Sequence, residues 1–246
     1  MLRNGKTDLF FGVIIMCLFV AGCNRTVDPG DFNASEKALI SNALSADGTS
    51  FPEGTMRVLT IQDSSDLKVL RDSSVNFSDA ALLSEEFASL CSLMIATMTH
   101  PSQDGVGIAA PQVGLNRRVV AVQRFDKEQV MIDGKSDHPI EIYPNVRIVW
   151  ASDSLALGPE GCLSVPDRRG EVLRSQEIII EYAAAKYLQH EDNQISSMPC
   201  KSDCSLSNDG TDTEIVMKRD TVKGFTAVIF QHEIDHLNGI LYIDRL

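Results

Sequence analysis

Hydrophobic positions in this chain change period several times, and the changes mark its elements. Residues 9–20 form an apolar run interrupted only by Gly12. Residues 24 to about 54 are rich in Asn, Ser, Asp and Gly, with one short helical patch from Ser35 to Leu44. From about Met56 the pattern tightens. Over residues 79–99, Leu82, Leu83, Phe87, Leu90, Leu93, Met94 and Met98 fall on one helical face, with Ser78 and Asp79 available as caps. Residues 118–123, 140–150 and 177–183 are apolar or β-branched without internal Gly and read as strands. Residues 186–214 lose the pattern and read as a surface insertion. A helix is expected from about Asp220 to Leu237, stopped by Asn238-Gly239. Strands and helices are segregated along the chain, which gives an α+β class.

The two ends of this pattern divide the chain. The apolar run follows a basic start at Arg3 and Lys6 and is short for a membrane span. It closes on Val20-Ala21-Gly22-Cys23, which resembles a bacterial lipobox, and the resemblance implies cleavage before Cys23 and lipidation of its thiol. The expected organisation is a signal peptide over 1–23, a flexible tether over 24–54 and a catalytic domain over 55–246. The protein would then be exported and membrane-tethered, with Asn24 favouring the outer membrane. Net charge is -12, from 22 Lys and Arg against 34 Asp and Glu. That balance argues against a nucleic-acid partner, because phosphate contacts need clustered basic groups.

Candidate chemistry centres on His232-Glu233-Ile234-Asp235-His236. Residues four apart share a helical face, so His232 and His236 can grip one metal ion. Glu233 is turned about 100° away and can serve as general base without ligating. A catalytic metal needs a third protein ligand. His100, His138 and His190 sit in polar, turn-like stretches, whereas Cys162 lies in the tight segment Pro159 to Pro166. A thiolate with two imidazoles suits ferrous iron or zinc. Cys91 reads as a small buried hydrophobe. Cys200 and Cys204 could form a disulfide in an exported protein or remain free thiols.

Three separated motifs carry a family resemblance: Gly105-Val106-Gly107-Ile108-Ala109-Ala110-Pro111-Gln112, Glu160-Gly161-Cys162-Leu163-Ser164, and the 232–236 pentapeptide. Together they resemble the peptide deformylases, over roughly residues 56–246, with Asp66 to Arg71 similar to the family's opening. The resemblance implies small antiparallel sheets around a central helix that bears the histidine motif. It implies removal of formyl groups from N-terminal formylmethionine of peptides, with formate released. One divalent ion is implied, Fe(II) first and Zn(II) second. Gln112 and the Leu163 backbone N–H would stabilise the oxyanion, and Glu233 would move the proton. Gly105, Val106, Gly107, Gly161, Arg169, Val228 and Ile229 are the substrate-binding candidates, with Phe225 similar. Glu160, Asp235 and Arg174 are candidates for a buried ionic cluster orienting the ligands. Competing readings are an exported metallopeptidase or amidase, or a non-catalytic lipoprotein that binds formyl-peptides.

Overall fold

A computed structural model of the 246-residue chain describes residues 28–45, 52–132, 135–188 and 212–246. Helices are α1 (Ala34–Leu44), α2 (Ser64–Leu70), α3 (Asp79–Leu82), α4 (Glu85–Thr99) and α5 (Gly224–Leu237). Strands are β1 (Gly107–Ala109), β2 (Val119–Gln123), β3 (Val130–Ile132), β4 (Lys135–Asp137), β5 (Ile140–Pro144), β6 (Arg147–Ala151), β7 (Leu155–Cys162), β8 (Val165–Ser175), β9 (Glu177–Leu188) and β10 (Asp212–Lys223). Two three-stranded sheets, ordered β1-β2-β5 and β10-β9-β6, stand beside the hairpins β3-β4 and β7-β8. All these strand pairings are antiparallel.

The β1-β2-β5 sheet is buried on both faces, which explains why Val119 to Val122 is apolar without alternation. Side chains of successive residues point to opposite faces. Val119 and Ala121 join Ile108 and Ile142 in a core with α3 and α4. Val120 and Val122 join Ala109 and Tyr143 in a second core with Ala227, Phe230, Ile234 and Leu237 of α5. Ile178, Ile180 and Val222 of the other sheet close that second core. The histidine-bearing helix is thereby packed against both three-stranded sheets.

Several boundaries differ from the sequence expectation. The single helical face over 79–99 is split into α3 and α4, because the Ser84 hydroxyl accepts from the Phe87 N–H at 3.2 Å and starts a new helix. The run 140–150 is two strands in different sheets, separated at Asn145, whose φ is 52°. Residues Asp220 to Lys223 belong to β10, not to the last helix. They complete a ladder with β9 that ends at Lys223↔Glu177, and the chain turns into α5 at Gly224 with φ 59°. The two margins of the expected insertion are likewise strand, in β9 and β10, while residues 189–211, with Cys200 and Cys204, lie outside the described residues.

The expected tether also needs correction over residues 28–45, which are docked on the domain. Asn33 caps α1, accepting from the N–H groups of Ser35 and Glu36 at 2.9 and 3.0 Å. Phe32, Ile40 and Ala43 enter the α3–α4 core, and the Phe32 ring sits 5.1 Å from that of Phe77. Arg117, 5% exposed, clasps the segment. It donates to both Glu36 carboxylate oxygens at 2.6 and 2.8 Å, to the Pro29 carbonyl at 2.8 Å and to the Asp31 carbonyl at 2.6 Å. The signal-like run and Cys23 lie outside the described residues. Among the described residues, no helix is long and apolar enough to cross a membrane.

Breaking a buried pair leaves an uncompensated charge, at a cost of about 3 kcal/mol or more. Arg117→Gln is therefore expected to lower the urea midpoint and expose residues 28–45 to limited proteolysis. Wild-type protection of that segment in the variant would refute the clasp.

Candidate metal centre and substrate cleft

Two elements that are distant in sequence bring the ligands together. The β7-β8 hairpin carries Glu160, Gly161 and Cys162, with Gly161 opposite Arg169 and a register shift at Cys162. Helix α5 presents His232 and His236 one turn apart, with ring centroids 5.1 Å apart. Cys162 Sγ lies 3.2 Å from His236 Nε2, and the three candidate ligand atoms all fall within 4.8 Å of one another. His232 Nδ1 is bonded to Glu160 Oε2 at 2.7 Å. That bond leaves the other ring nitrogen for a metal, the usual division of labour in a histidine ligand. One soft sulfur and two imidazole nitrogens at this spacing fit a single divalent ion of the iron or zinc kind.

A chain of charges fixes the ligands from behind. Arg174 bonds both oxygens of Glu160 at 2.7 and 3.0 Å, and bonds Asp235 at 2.6 Å. Arg245 adds a two-point contact to Asp235, with both bonds at 2.5 Å. Glu160, Arg174 and Asp235 are buried, and their two carboxylates are balanced only when Arg245 joins Arg174. Burial alone would raise the Glu160 pKa. The His232 and Arg174 bonds more than offset this and hold it at about 2. Tyr242, also buried, places its ring nearly parallel to His232 at 6.0 Å and backs the imidazole.

Glu233 differs from the other carboxylates. Burial pushes its pKa up to about 7, against the opposing effect of His232. Its Oε2 is buried without a hydrogen-bond partner. Such an atom is costly unless water or substrate meets it. The opposite wall is held close by Gly107, where an added Cβ would lie 2.5 Å from Glu233 Oε1 and 2.7 Å from Ile229 Cγ2. Gln112 is buried in the short helical turn Ala110–Val113. Its Oε1 accepts from the Ala109 N–H at 2.8 Å, which turns Nε2 toward Ser164 Oγ at 3.3 Å and Cys162 Sγ at 3.5 Å.

These groups open onto a cleft of about 830 Å³. Gln112, Leu163 and Glu233 line it, as do Cys162 and His232, whereas His236 lies behind them, 1% exposed. Gly105, Val106 and Gly107 form one wall, Gly161 and Arg169 another, and Val228, Ile229 and Phe225 a third. Every described site candidate is thus at the cleft or directly behind it, and Cys23 is outside the described residues. His100 bonds Ser102, and His138 packs on Phe125, so neither joins the centre. Sequence reasoning missed Ser164, Tyr242 and Arg245. Ser164 stood inside a quoted motif, whereas Arg245 and Tyr242 sit in a tail that carries no periodic signal.

The chain matches the family model for polypeptide deformylase over residues 56–196 and 206–246. A peptide deformylase from Leptospira biflexa is 32% identical over 178 residues, covering 72% of this chain and 82% of that protein. Peptide deformylase 2 from Gloeobacter violaceus is 31% identical over 179 residues, covering 73% and 74%. Among solved structures, a class I type b peptide deformylase from Acinetobacter baumannii bound to Met-Ala-Ser aligns with TM-score 0.55 and 29% identity, covering 78% of this chain and 98% of that one. The peptide deformylase from Thermotoga maritima aligns with TM-score 0.54 and 27% identity, covering 78% and 97%. With the family match spanning most of the chain and a relative 32% identical over 178 residues, this protein belongs to the peptide deformylase family.

Proposed function

We propose that the cleft hydrolyses the formyl amide of N-formylmethionyl peptides, with Cys162, His232 and His236 holding one divalent ion. The observation that carries this reading is the partnerless Glu233 carboxylate beside three converging ligand atoms. When bound, the ion supplies a Lewis acid that polarises the formyl carbonyl and eases deprotonation of water. Fe(II) is the preferred ion and Zn(II) the alternative, since thiolate and imidazole suit both.

Glu233 takes the attacking water's proton and returns it to the departing amine nitrogen. A carboxylate with a pKa of about 7 is suited to both transfers near neutral pH. As the new C–O bond forms, negative charge grows on the formyl oxygen. Gln112 Nε2 and the Leu163 N–H are the donors for it, and the fixed Gln112 Oε1 bond keeps the amide from turning away. The C–N bond then breaks, leaving formate and a free amino terminus. Val106, Phe225, Val228 and Ile229 give an apolar surface for the methionine side chain. The Met-Ala-Ser peptide in the Acinetobacter relative has the form of such a product.

The reading of the amino terminus is part of the proposal. A basic start, an apolar run and Val20-Ala21-Gly22-Cys23 support export and lipidation at Cys23. Removal of residues 1–23 would take two positive charges and one negative, moving the net charge from -12 to -13. Mass spectrometry of membrane fractions is expected to find a mature chain that begins with lipidated Cys23. A soluble chain that keeps Met1 would overturn this part alone.

Glu233→Gln keeps the shape of the side chain and removes the base. It is expected to retain metal and cut formate release by about 10²–10⁴-fold. Cys162→Ala, in contrast, is expected to lose the metal. Near-normal turnover in metal-replete Glu233→Gln protein is incompatible with the mechanism. Gly107→Ala tests the fit of the opposite wall. Its methyl must displace Glu233 or Ile229, and misplacement on that scale costs about 10²-fold in rate. Metal content should stay normal while formate release drops. Unchanged turnover would mean that Glu233 needs no close wall.

A further inference from the structure

Arg168 and Arg169 differ from every other described arginine. The others bond a carboxylate or a carbonyl or amide oxygen, as Arg57 does with Asp66 and Arg118 with Asn238. Among the described residues, neither Arg168 nor Arg169 has a hydrogen-bond or ion-pair partner. Both are exposed, and both line the substrate cleft. Asp104 and Asp167 border the same cleft, and exposed Glu171 follows on β8, yet none of the three pairs with either guanidinium. Two adjacent, unpaired cations are unexpected in a chain of net charge -12, where acids outnumber bases.

Their place is set by the hairpin. Arg169 pairs across β7-β8 with Gly161, the residue before Cys162, and its Cζ lies 3.9 Å from where a Gly161 Cβ would be. The register shifts between the pairs Cys162↔Val165 and Gly161↔Arg169, so residues 166–168 bulge from the ladder, with Asp167 at a φ of 61°. Both guanidiniums therefore line the cleft that holds the three converging ligand atoms, with Arg169 beside the strand that carries Cys162. Guanidinium groups bind carboxylates through paired N–H donors, and neither guanidinium is engaged by the acids that border the cleft.

We infer that Arg168 and Arg169 form a carboxylate-recognising wall that favours formyl-peptides bearing a negative charge shortly after the methionine. The inference rests on the deformylase reading for the peptide class. Two sources share this chemistry, the free C-terminal carboxylate of a short peptide and an acidic side chain within a longer one.

The test compares matched peptides on metal-loaded protein. Formyl-Met-Ala-Ser is set against its C-terminal amide, and formyl-Met-Ala-Glu amide against formyl-Met-Ala-Gln amide. At exposed sites such charge pairs are worth about 1.5- to fivefold in kcat/KM, and that preference is expected in at least one arm, carried by KM. A preference in the first arm assigns the terminal carboxylate, and one in the second assigns the side chain. Raising salt to about 0.5 M should compress the preference, since exposed charges are screened. In Arg168→Gln and Arg168→Gln/Arg169→Gln the charged-to-neutral ratio should fall toward 1, and Arg168→Lys should restore part of it. Ratios near 1 in both arms of the wild type, or a ratio unchanged in the double variant, would overturn the inference. If no peptide yields formate, the deformylase reading is what fails. Calorimetric affinities of Met-Ala-Ser and its amide then decide the inference by the same ratio.

Discussion

Taking the Glu160 carboxylate out of water is the constraint on which the rest of the site depends. A buried carboxylate is tolerated only when its oxygens are bonded and its charge is balanced. Here one oxygen faces His232 and both face Arg174, so the same charge that must be satisfied also orients a candidate ligand. Arg174 in turn needs Asp235, which stands on α5 between the two histidines, and Asp235 needs Arg245. Hairpin, helix and tail are therefore registered against one another by charge as well as by packing. The ligand sulfur and the two imidazoles meet because the groups behind them have one arrangement in which no charge is left alone.

In front of the three candidate ligands the logic reverses. Glu233 is buried with an oxygen left unbonded, next to a wall that Gly107 keeps thin. The back of the site removes electrostatic freedom from the candidate ligands, and the front leaves one buried carboxylate oxygen unsatisfied. A single helix serves both purposes because Glu233 and Asp235 project to either side of the face that His232 and His236 share. The apolar faces of Ala227, Phe230 and Ile234 hold that axis against two sheets.

Much of this was legible in the sequence, for reasons that differ by residue. The histidine pair and its glutamate declare themselves by helical spacing, and the three short motifs are local enough to be read without a structure. Strand β2 was visible because it is apolar throughout, a consequence of burial on both faces. The division of residues 79–99 into two helices was not visible, since the apolar face continues across the Ser84 cap. Strand β10 was hidden for a related reason. Its exposed residues are polar apart from Met217, and only its pairing with β9 and the turn at Gly224 separate it from the following helix. Arg117 acts through partners more than 80 residues away and Arg245 through Asp235 on the preceding helix, and no local pattern announces such contacts. The docking of residues 28–45 was missed because their composition resembles a linker, while Phe32 and Ile40 carry the packing.

That docked segment also governs how the molecule bears load. A pull transmitted along the chain toward Asp28 meets the carbonyls of Pro29 and Asp31, both gripped by Arg117, and the Gly30 carbonyl, which accepts from the Ser78 N–H at 3.1 Å. Tension is passed to the root of β2 and the start of α3, on the far side of the β1-β2-β5 sheet from α5. Helix α5, with its two candidate ligands, and the β7-β8 hairpin are outside this path. The clasp thus works as a strain relief, letting the leading end of the chain be tugged while the spacing of three ligand atoms stays undisturbed.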